Sequence, residues 1–116
     1  MSDRLKAIPL AFWRSASGRE PVREWLRQLD KRERAVIGGD LRTLQFGWPI
    51  GMPLVRKLRG DIWEVRSSLP SNREARLLFA ASENEIVVLH AFIKKRQRTP
   101  PAEVELAQRR LREMMS

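Results

Sequence analysis

A run of cations follows an apolar strand near the end of the chain. In HAFIKKRQRTPP, residues 90–101, Ile93 is the last apolar residue before four cations in five positions. These four are Lys94, Lys95, Arg96 and Arg98. Like charges at this spacing repel one another in the free protein, so we expect a negatively charged partner to neutralise them. Arginine binds phosphate oxygens in pairs and lysine binds them as a point charge, so the run predicts a phosphate-binding site.

The one histidine of the chain, His90, shortly precedes this run. Among side chains, only histidine changes its charge near neutral pH when unperturbed, so it could move a proton to or from a bound phosphodiester. RNA carries its own nucleophile, the 2′-hydroxyl, and its cleavage therefore needs only a base, an acid and stabilising cations. The acidic residues fall mostly at turns, without a second histidine, so we expect neither a metal site nor another cofactor.

Alternation along the predicted strands groups further cations, because residues two apart on a strand share a face. If the apolar positions meet the helices, the uncovered face of the sheet carries Lys57, Arg59, Arg66, Arg76, His90 and Lys94. Phe92 is in phase with His90 and would offer a ring for base stacking. The sheet is then a basic platform, on the assumption of one cross-strand register.

Each of these assignments has a structural alternative. Isolated Arg and Lys residues on strands are commonly solvated and protect a sheet edge. A lone histidine on a strand commonly bonds to the backbone, and Phe92 fits a core position as well as a stacking one. A solvated basic turn would likewise account for the cations that follow Ile93.

The composition favours a polyanionic partner and excludes several classes of site. The chain has 116 residues with 23 Lys+Arg, 14 Asp+Glu and a formal net charge of +9, a balance found in proteins that bind nucleic acid. It has no cysteine, which excludes disulfides, thiolate metal sites and a cysteine nucleophile. The apolar run at the start is too short for a signal peptide, and no later segment has the length of a membrane span. We therefore expect a cytoplasmic protein without a membrane partner, folded as one domain over residues 1–116.

Periodicity predicts the elements that must position these residues. Helical spacing, a proline in the first turn of two helices and Asp30 as an N-cap predict three helices, at 21–29, 30–47 and 100–115. Apolar runs and period-two alternation predict strands at 6–15, 54–60, 61–69, 73–81 and 85–94. The last four strands are joined by short turns, which favour antiparallel pairing. The order β-α-α-β-β-β-β-α predicts an α+β fold, with an antiparallel sheet and helices packed on one of its faces.

Three segments of the chain resemble a known family. KLRGDIWEVR (57–66), an Arg-led strand, and LHAFIKKRQRTPP (89–101) before a helix are similar to the phage-derived, HigB-like branch of the RelE/ParE toxin superfamily. SGREPVREWLRQL (17–29) resembles the first helix of that family. The similarity covers nearly the whole chain, and the segment from KK to TP is its most specific part.

The resemblance implies a RelE/ParE-like fold and the toxin of a type II toxin–antitoxin pair. Such a toxin cuts mRNA on the ribosome without a metal, and its further partner is a cognate helix-turn-helix antitoxin in a higher-order complex. The family's basic motif positions correspond to Lys57, Arg66, Arg76, His90, Lys94 and Lys95. Catalytic residues are thus expected among His90, Lys57, Arg66, Arg76 and Lys94, and RNA-binding residues among Arg59, Lys95, Arg96, Arg98 and Phe92. Many relatives place a tyrosine hydroxyl near the cleavage site, whereas this chain has no tyrosine, so the residue of the acid step stays open.

Two other functions stay open from the residues alone. A ParE-like protein of the same fold would inhibit gyrase without enzymatic activity, since fold does not determine function. A nucleic-acid-binding module without toxicity would also account for the charge. His90 and the strand arginines favour the nuclease, because a surface that only binds protein needs no titrating group.

Overall fold

Five strands and three helices form in the part of the chain that the structure, a computed structural model, describes, namely residues 7–51, 53–95 and 97–116. Arg96, one of the predicted phosphate-binding residues, lies outside these ranges. The strands are β1 (Leu10–Phe12), β2 (Val55–Arg59), β3 (Ile62–Ser68), β4 (Glu74–Ala81) and β5 (Ile86–Ile93). The helices are α1 (Pro21–Arg27), α2 (Lys31–Gly47) and α3 (Pro101–Met115). The prediction of a mixed α+β fold is confirmed.

The strands form a single sheet in the order β1-β5-β4-β3-β2. The four strands from β2 to β5 pair antiparallel in sequence, as their short turns predict. The first strand is different, since β1 pairs parallel with β5 and places Leu10 opposite Ile86. A parallel neighbour needs a long connection, and here the chain between the two includes two helices and three strands. The sheet is therefore mixed, and the prediction of a purely antiparallel sheet is wrong.

Helices cover both faces of this sheet. Leu77 packs in a cluster with Ile37 and Leu44 of α2. The next residue along β4, Leu78, packs in a second cluster that includes Ala107 of α3. Because consecutive strand residues face opposite sides, α2 and α3 lie on opposite faces, and the prediction of helices on one face only is wrong. The physical reason lies in the runs RLLFAA and IVVL, where consecutive apolar residues indicate strands that are buried on both faces.

Polar contacts of Arg110 and Trp13 hold α3 against the end of β1 and against β5. The indole Nε1 of Trp13 donates a hydrogen bond to the carbonyl oxygen of Arg110 at 3.1 Å. The guanidinium of Arg110 lies 4.7 Å from the centre of the Trp13 ring and donates to the carbonyl oxygen of Leu89 at 2.7 Å. Together with the buried Val104 and Ala107, these contacts hold α3 against β5 and its neighbours β4 and β3.

Among the described residues, none of the helices is both long enough and apolar enough to cross a membrane.

The two-sided core predicts similar losses of stability for two neighbouring leucines. Leu77→Ala and Leu78→Ala should each lower the free energy of unfolding by about 2–5 kcal/mol, since each leaves a cavity in one of the two clusters. Glu83→Ala, at an exposed position of the turn between β4 and β5, should stay within about 0.5 kcal/mol of wild type. Urea unfolding measures all three, and a loss below about 1 kcal/mol for Leu78→Ala would contradict a packed α3 face.

Candidate functional site

An open groove with a volume of about 1320 Å³ lies at one end of the sheet. One side is the turn between β3 and β4, and the other is the segment that leads from β5 into α3. Its charged lining consists of Arg73, Arg76, Lys94, Lys95 and Arg98 together with Glu74 and Glu103. The rings of Trp25 and Phe92 also line it. Five cations therefore face two carboxylates in a cleft that also offers aromatic surface.

The local sequence explains how the turn after β3 and the segment after β5 diverge to form the two sides of the groove. In SLPSN, the turn after β3 closes with a hydrogen bond from the backbone N–H of Asn72 to Leu69, and Asn72 takes a left-handed φ of 61°. Asparagine tolerates this conformation better than most residues. The ladder continues one residue beyond β5, where the N–H of Lys94 donates to the carbonyl of Glu74 at 2.8 Å. The chain then leaves the sheet, and Pro100 and Pro101 begin α3, which leaves the groove between the two segments.

Arg76 is buried in the wall of the groove and is only 1% exposed. It donates hydrogen bonds to Glu64 at 3.0 Å, to Glu74 at 2.7 Å and to the hydroxyl of Thr99 at 3.1 Å. Thr99 in turn donates to Glu64, whose side chain is fully buried. Burial alone would lower the pKa of Arg76, but the hydrogen bonds from its guanidinium to Glu74 and Glu64 outweigh that and raise it. Arg76 thus stays charged, and its charge is balanced inside the protein.

Arg66 and Phe92 flank Arg76 on the neighbouring strands. Arg66 pairs directly with Arg76 across β3 and β4, and Phe92 pairs with Arg76 across β4 and β5. The Nε of Arg66 lies 3.7 Å from Oε1 of Glu64, and both atoms are buried without a hydrogen-bond partner in the described part of the chain. The structure therefore brings three of the predicted residues together on the face that α3 covers.

His90 forms a close pair with Glu103 of α3. Its Nε2 lies 2.5 Å from Oε1 of Glu103, and its side chain is 15% exposed against 31% for Glu103. Burial lowers the pKa of His90, and the nearby charge of Arg110 adds to this, whereas the hydrogen bond and charge of Glu103 act in the opposite direction. At pH 7 the imidazole is neutral, so the proton that it shares with the carboxylate is carried on Nε2. The ring of Phe92 stacks on His90 with 5.6 Å between centres.

The groove cations differ in how far their charge is already balanced. Arg73 binds Glu33 at 2.6 Å, and Lys94 lies 3.8 Å from Glu74. Lys95 and Arg98 are exposed, and neither forms an ion pair with any of the described residues. The positive charge that a ligand would meet is therefore concentrated on the segment after β5, as the sequence predicts.

Lys57 and Arg59 lie away from the groove, on the edge strand β2. Lys57 pairs with Trp63, and its Nζ lies 5.5 Å above the ring of Trp63, which packs against the cluster on the α2 side. Arg59 is exposed at the end of the strand, beside the turn to β3. The prediction of one uncovered platform that carries the five cations and His90 is wrong. The register of β2 places Lys57 on the opposite face from Arg76, and α3 covers the face that was expected to be open.

Four charged or aromatic residues of the groove were not among the predicted site residues, namely Trp25, Arg73, Glu74 and Glu103. Trp25 falls at the spacing of a core position, and its ring is half-buried at the rim. The two glutamates lie at the ends of elements, where carboxylates are commonly solvated. No local pattern links Glu103 with His90, because the contact joins residues 13 positions apart across a loop. In the described ranges, no group of three or more His, Asp or Glu residues is placed to hold a metal ion.

The buried charges around Arg76 predict a large loss of stability when one partner is removed. Arg76→Ala should lower the free energy of unfolding by about 3–5 kcal/mol, because Glu64 would remain buried without its cation. Arg98→Ala, which removes an exposed arginine from the same groove, should change it by less than about 0.5 kcal/mol. Replacing both Arg76 and Glu64 by leucine should recover most of the loss, as measured by urea unfolding. A loss below about 1 kcal/mol for Arg76→Ala would contradict a structural role.

His90 predicts a dependence of stability on pH. The pKa of His90 in the folded protein lies below the unfolded value of about 6.5. The folded state therefore binds fewer protons than the unfolded state between these two pKa values. The stability that is present above about pH 6.5 is lost as pH falls through the folded pKa. The free energy of unfolding should therefore decrease from about pH 7.5 to 5.5 in wild type and vary less in His90→Gln. Carboxylates whose pKa is lowered, such as that of Glu33 beside Arg73, contribute below this window. Equal slopes in the two proteins would contradict a buried neutral imidazole.

Comparison with known proteins identifies the family of the chain. A family model described as "Phage derived protein Gp49-like (DUF891)" matches residues 24–112, a segment that runs from α1 into α3 and includes the whole groove. None of the curated proteins matches the chain. The chain therefore belongs to the Gp49-like family of phage-derived proteins, a RelE/ParE-like family associated with toxin–antitoxin systems.

Proposed function

We propose that this protein is the toxin of a type II toxin–antitoxin pair, of HigB-like specificity and RelE/ParE-like topology, and that it cuts mRNA on the ribosome and so inhibits translation. The family membership supports the toxin assignment. The groove supports the nuclease assignment, and one observation carries it: a cleft lined by five cations and two aromatic rings also exposes a carboxylate, Glu103, that is paired with His90. These are the groups that cleavage of RNA by its own 2′-hydroxyl requires.

The cations after β5 would bind the RNA backbone. Lys95 and Arg98 are exposed and their charges are not balanced by a described side chain, so a phosphate can approach them without displacing an ion pair. Lys94 lies deeper and keeps a contact of 3.8 Å with Glu74. It is thus placed to stabilise charge on the phosphate that reacts, and Arg96 belongs to the same run. Arginine and lysine bind the phosphates of single-stranded RNA, and aromatic rings stack on its bases. Phe92 would provide that ring at the groove.

Proton transfer would belong to the pair of His90 and Glu103. A 2′-hydroxyl must lose its proton when it attacks phosphorus. A neutral imidazole and an ionised carboxylate can each accept a proton, so either member of the pair has the required chemistry. Arg66 and Arg76 would act one step away, by holding Glu64 and the wall of the groove in place. The chemistry needs no metal, because the nucleophile belongs to the RNA and the cations belong to the protein.

The remaining predicted residues and the antitoxin are assigned to contacts with the ribosome and to neutralisation of the toxin. Lys57 and Arg59 lie on the edge strand far from β5, so we assign them to contacts with ribosomal RNA instead of to the reaction. A cognate helix-turn-helix antitoxin would neutralise the toxin by covering the groove, for which acidic segments are suited, in a complex of higher order. Both the target and the antitoxin place the protein in the cytoplasm.

Mapping of RNA ends tests this function directly. We expect purified protein to cut mRNA within codons in a translating mixture and to leave mRNA without ribosomes intact. The new ends should be a 2′,3′-cyclic phosphate and a 5′-hydroxyl, because attack by the 2′-oxygen forms them. A double charge reversal, Lys95→Glu with Arg98→Glu, should lower the cleavage rate by at least about tenfold, since opposite charge now repels phosphate. Arg42→Glu, an exposed residue of α2 outside the groove, should leave the rate unchanged.

Three outcomes would contradict the proposal in different ways. Intact mRNA with growth arrest in cells would indicate a ParE-like action on gyrase. Intact mRNA without growth arrest would indicate a module that only binds nucleic acid. Ends that carry a 5′-phosphate would indicate that water, and not the 2′-hydroxyl, attacks.

A further inference from the structure

The pair of His90 and Glu103 poses the question of which member meets the RNA. Glu103 lines the groove, and its side chain is 31% exposed. His90 does not line the groove, and its side chain is 15% exposed beneath the stacked ring of Phe92. A ligand in the groove would therefore touch the carboxylate before it could touch the imidazole.

We infer that Glu103 is the catalytic base of the groove and that His90 is its positioning residue, an inference that rests on the function proposed above. The roles follow from the hydrogen bond between them. The Nε2–H of His90 donates to Oε1 of Glu103 at 2.5 Å, which holds the carboxylate in one orientation. No hydrogen bond from a described side chain reaches Oε2 of Glu103, so this oxygen keeps its capacity to accept a proton.

The other carboxylate of the groove, Glu74, is bound differently. Its Oε2 accepts a hydrogen bond from Arg76 at 2.7 Å, and its Oε1 lies 3.8 Å from the ammonium of Lys94. Each of its oxygens already faces a cation, and a proton would have to disrupt one of these contacts. Glu103 instead has a neutral partner that donates one hydrogen bond and adds no full charge. The geometry thus separates a structural carboxylate from a reactive one.

The step balances with groups that the groove and the RNA supply. The O–H bond of the 2′-hydroxyl breaks as its proton passes to Glu103, and the 2′-oxygen forms a bond to phosphorus. The bond between phosphorus and the 5′-oxygen breaks, and that oxygen takes a proton from water. Glu103 then loses its proton to solvent, and no atom changes its oxidation state. Lys94, Lys95 and Arg98 line the same groove and stabilise the charge that develops on the phosphate oxygens.

Three substitutions distinguish the roles in the cleavage assay. Glu103→Gln keeps the shape of the side chain but cannot accept the proton, and should lower the rate of cleavage by about 10²–10⁴-fold. His90→Gln keeps an N–H donor for Glu103 and should retain most of the rate, whereas His90→Leu removes the donor and should lose more. The matched control is Glu105→Gln, the same chemical change at an exposed position of α3 outside the groove, which should leave the rate unchanged. Binding of each variant to ribosomes should stay within about threefold of wild type, so that the losses belong to the chemical step.

The pH profile provides a readout that a merely structural role would not move. With a carboxylate as base, the rate should be level from about pH 6 to 8, because carboxylates are ionised throughout that range. With the imidazole of His90 as base, the rate should instead fall as pH drops through the folded pKa of His90, which burial lowers from its ordinary value. The other charged groups around the pair are Lys94, Lys95, Arg98 and Glu74 in the groove and Arg110 on α3.

The outcomes separate failure of this inference from failure of the proposed function. If wild-type protein leaves mRNA intact on ribosomes, both fall together. If wild type cuts and Glu103→Gln cuts within threefold of it, only the assignment of Glu103 falls. If His90→Gln is as damaged as Glu103→Gln and the wild-type rate falls as pH drops through the folded pKa of His90, the imidazole is the base and the two roles are reversed.

Discussion

The ion pair between Arg76 and Glu64 is the interaction on which the groove depends. Both side chains are buried, one on β4 and the other on β3, and Thr99 bonds to both from the segment that leads into α3. A buried ion pair adds little stability relative to apolar residues of similar volume, but removing one member is costly. Its value here is geometric. Because Thr99 bonds to both partners, it is tied to β3 and β4 at the end of the sheet, directly before α3 begins.

The groove divides its charges into two kinds, and this division makes binding possible. Arg76 and Glu74 are paired within the wall, where they set the positions of the strands and of Lys94. Lys95 and Arg98 are exposed at the mouth, and among the described residues they have no acidic partner. The desolvation cost of a phosphate is small at the mouth, where the cations are still hydrated. Further in, the dielectric constant is lower, and a given charge interacts more strongly with the phosphate. Under the proposed function, Lys95 and Arg98 would attract RNA and Lys94 would orient it.

Periodicity and turn chemistry in the sequence predicted most of the elements and the basic run that follows β5, but not the groove that it lines. Asp30 caps α2 as expected, with its side chain 2.8 Å from the backbone N–H of Glu33, because the N-cap signal is local. Lys94, Lys95 and Arg98 line one groove, because they lie close together along the chain. The failures concern the register of β2, the parallel pairing of β1 and the docking of α3, which all depend on contacts between distant segments. The placement of Lys57 needed the pairing of β2 with β3, and the contact of Glu103 with His90 needed the docking of α3.

The cover that α3 provides changes the meaning of His90. On an open sheet, an imidazole among cations would face solvent and could itself act on a substrate. Under α3, it lies beneath Phe92 and beside Arg110, where burial keeps it neutral, and its Nε2 is taken up by Glu103. A neutral imidazole that donates one hydrogen bond is well suited to orient a carboxylate, since it fixes the direction of the lone pairs without neutralising the anion. The apolar residues that bring α3 onto the sheet therefore also determine which side chain reaches the groove, and the packing of the second core is in this sense part of the site.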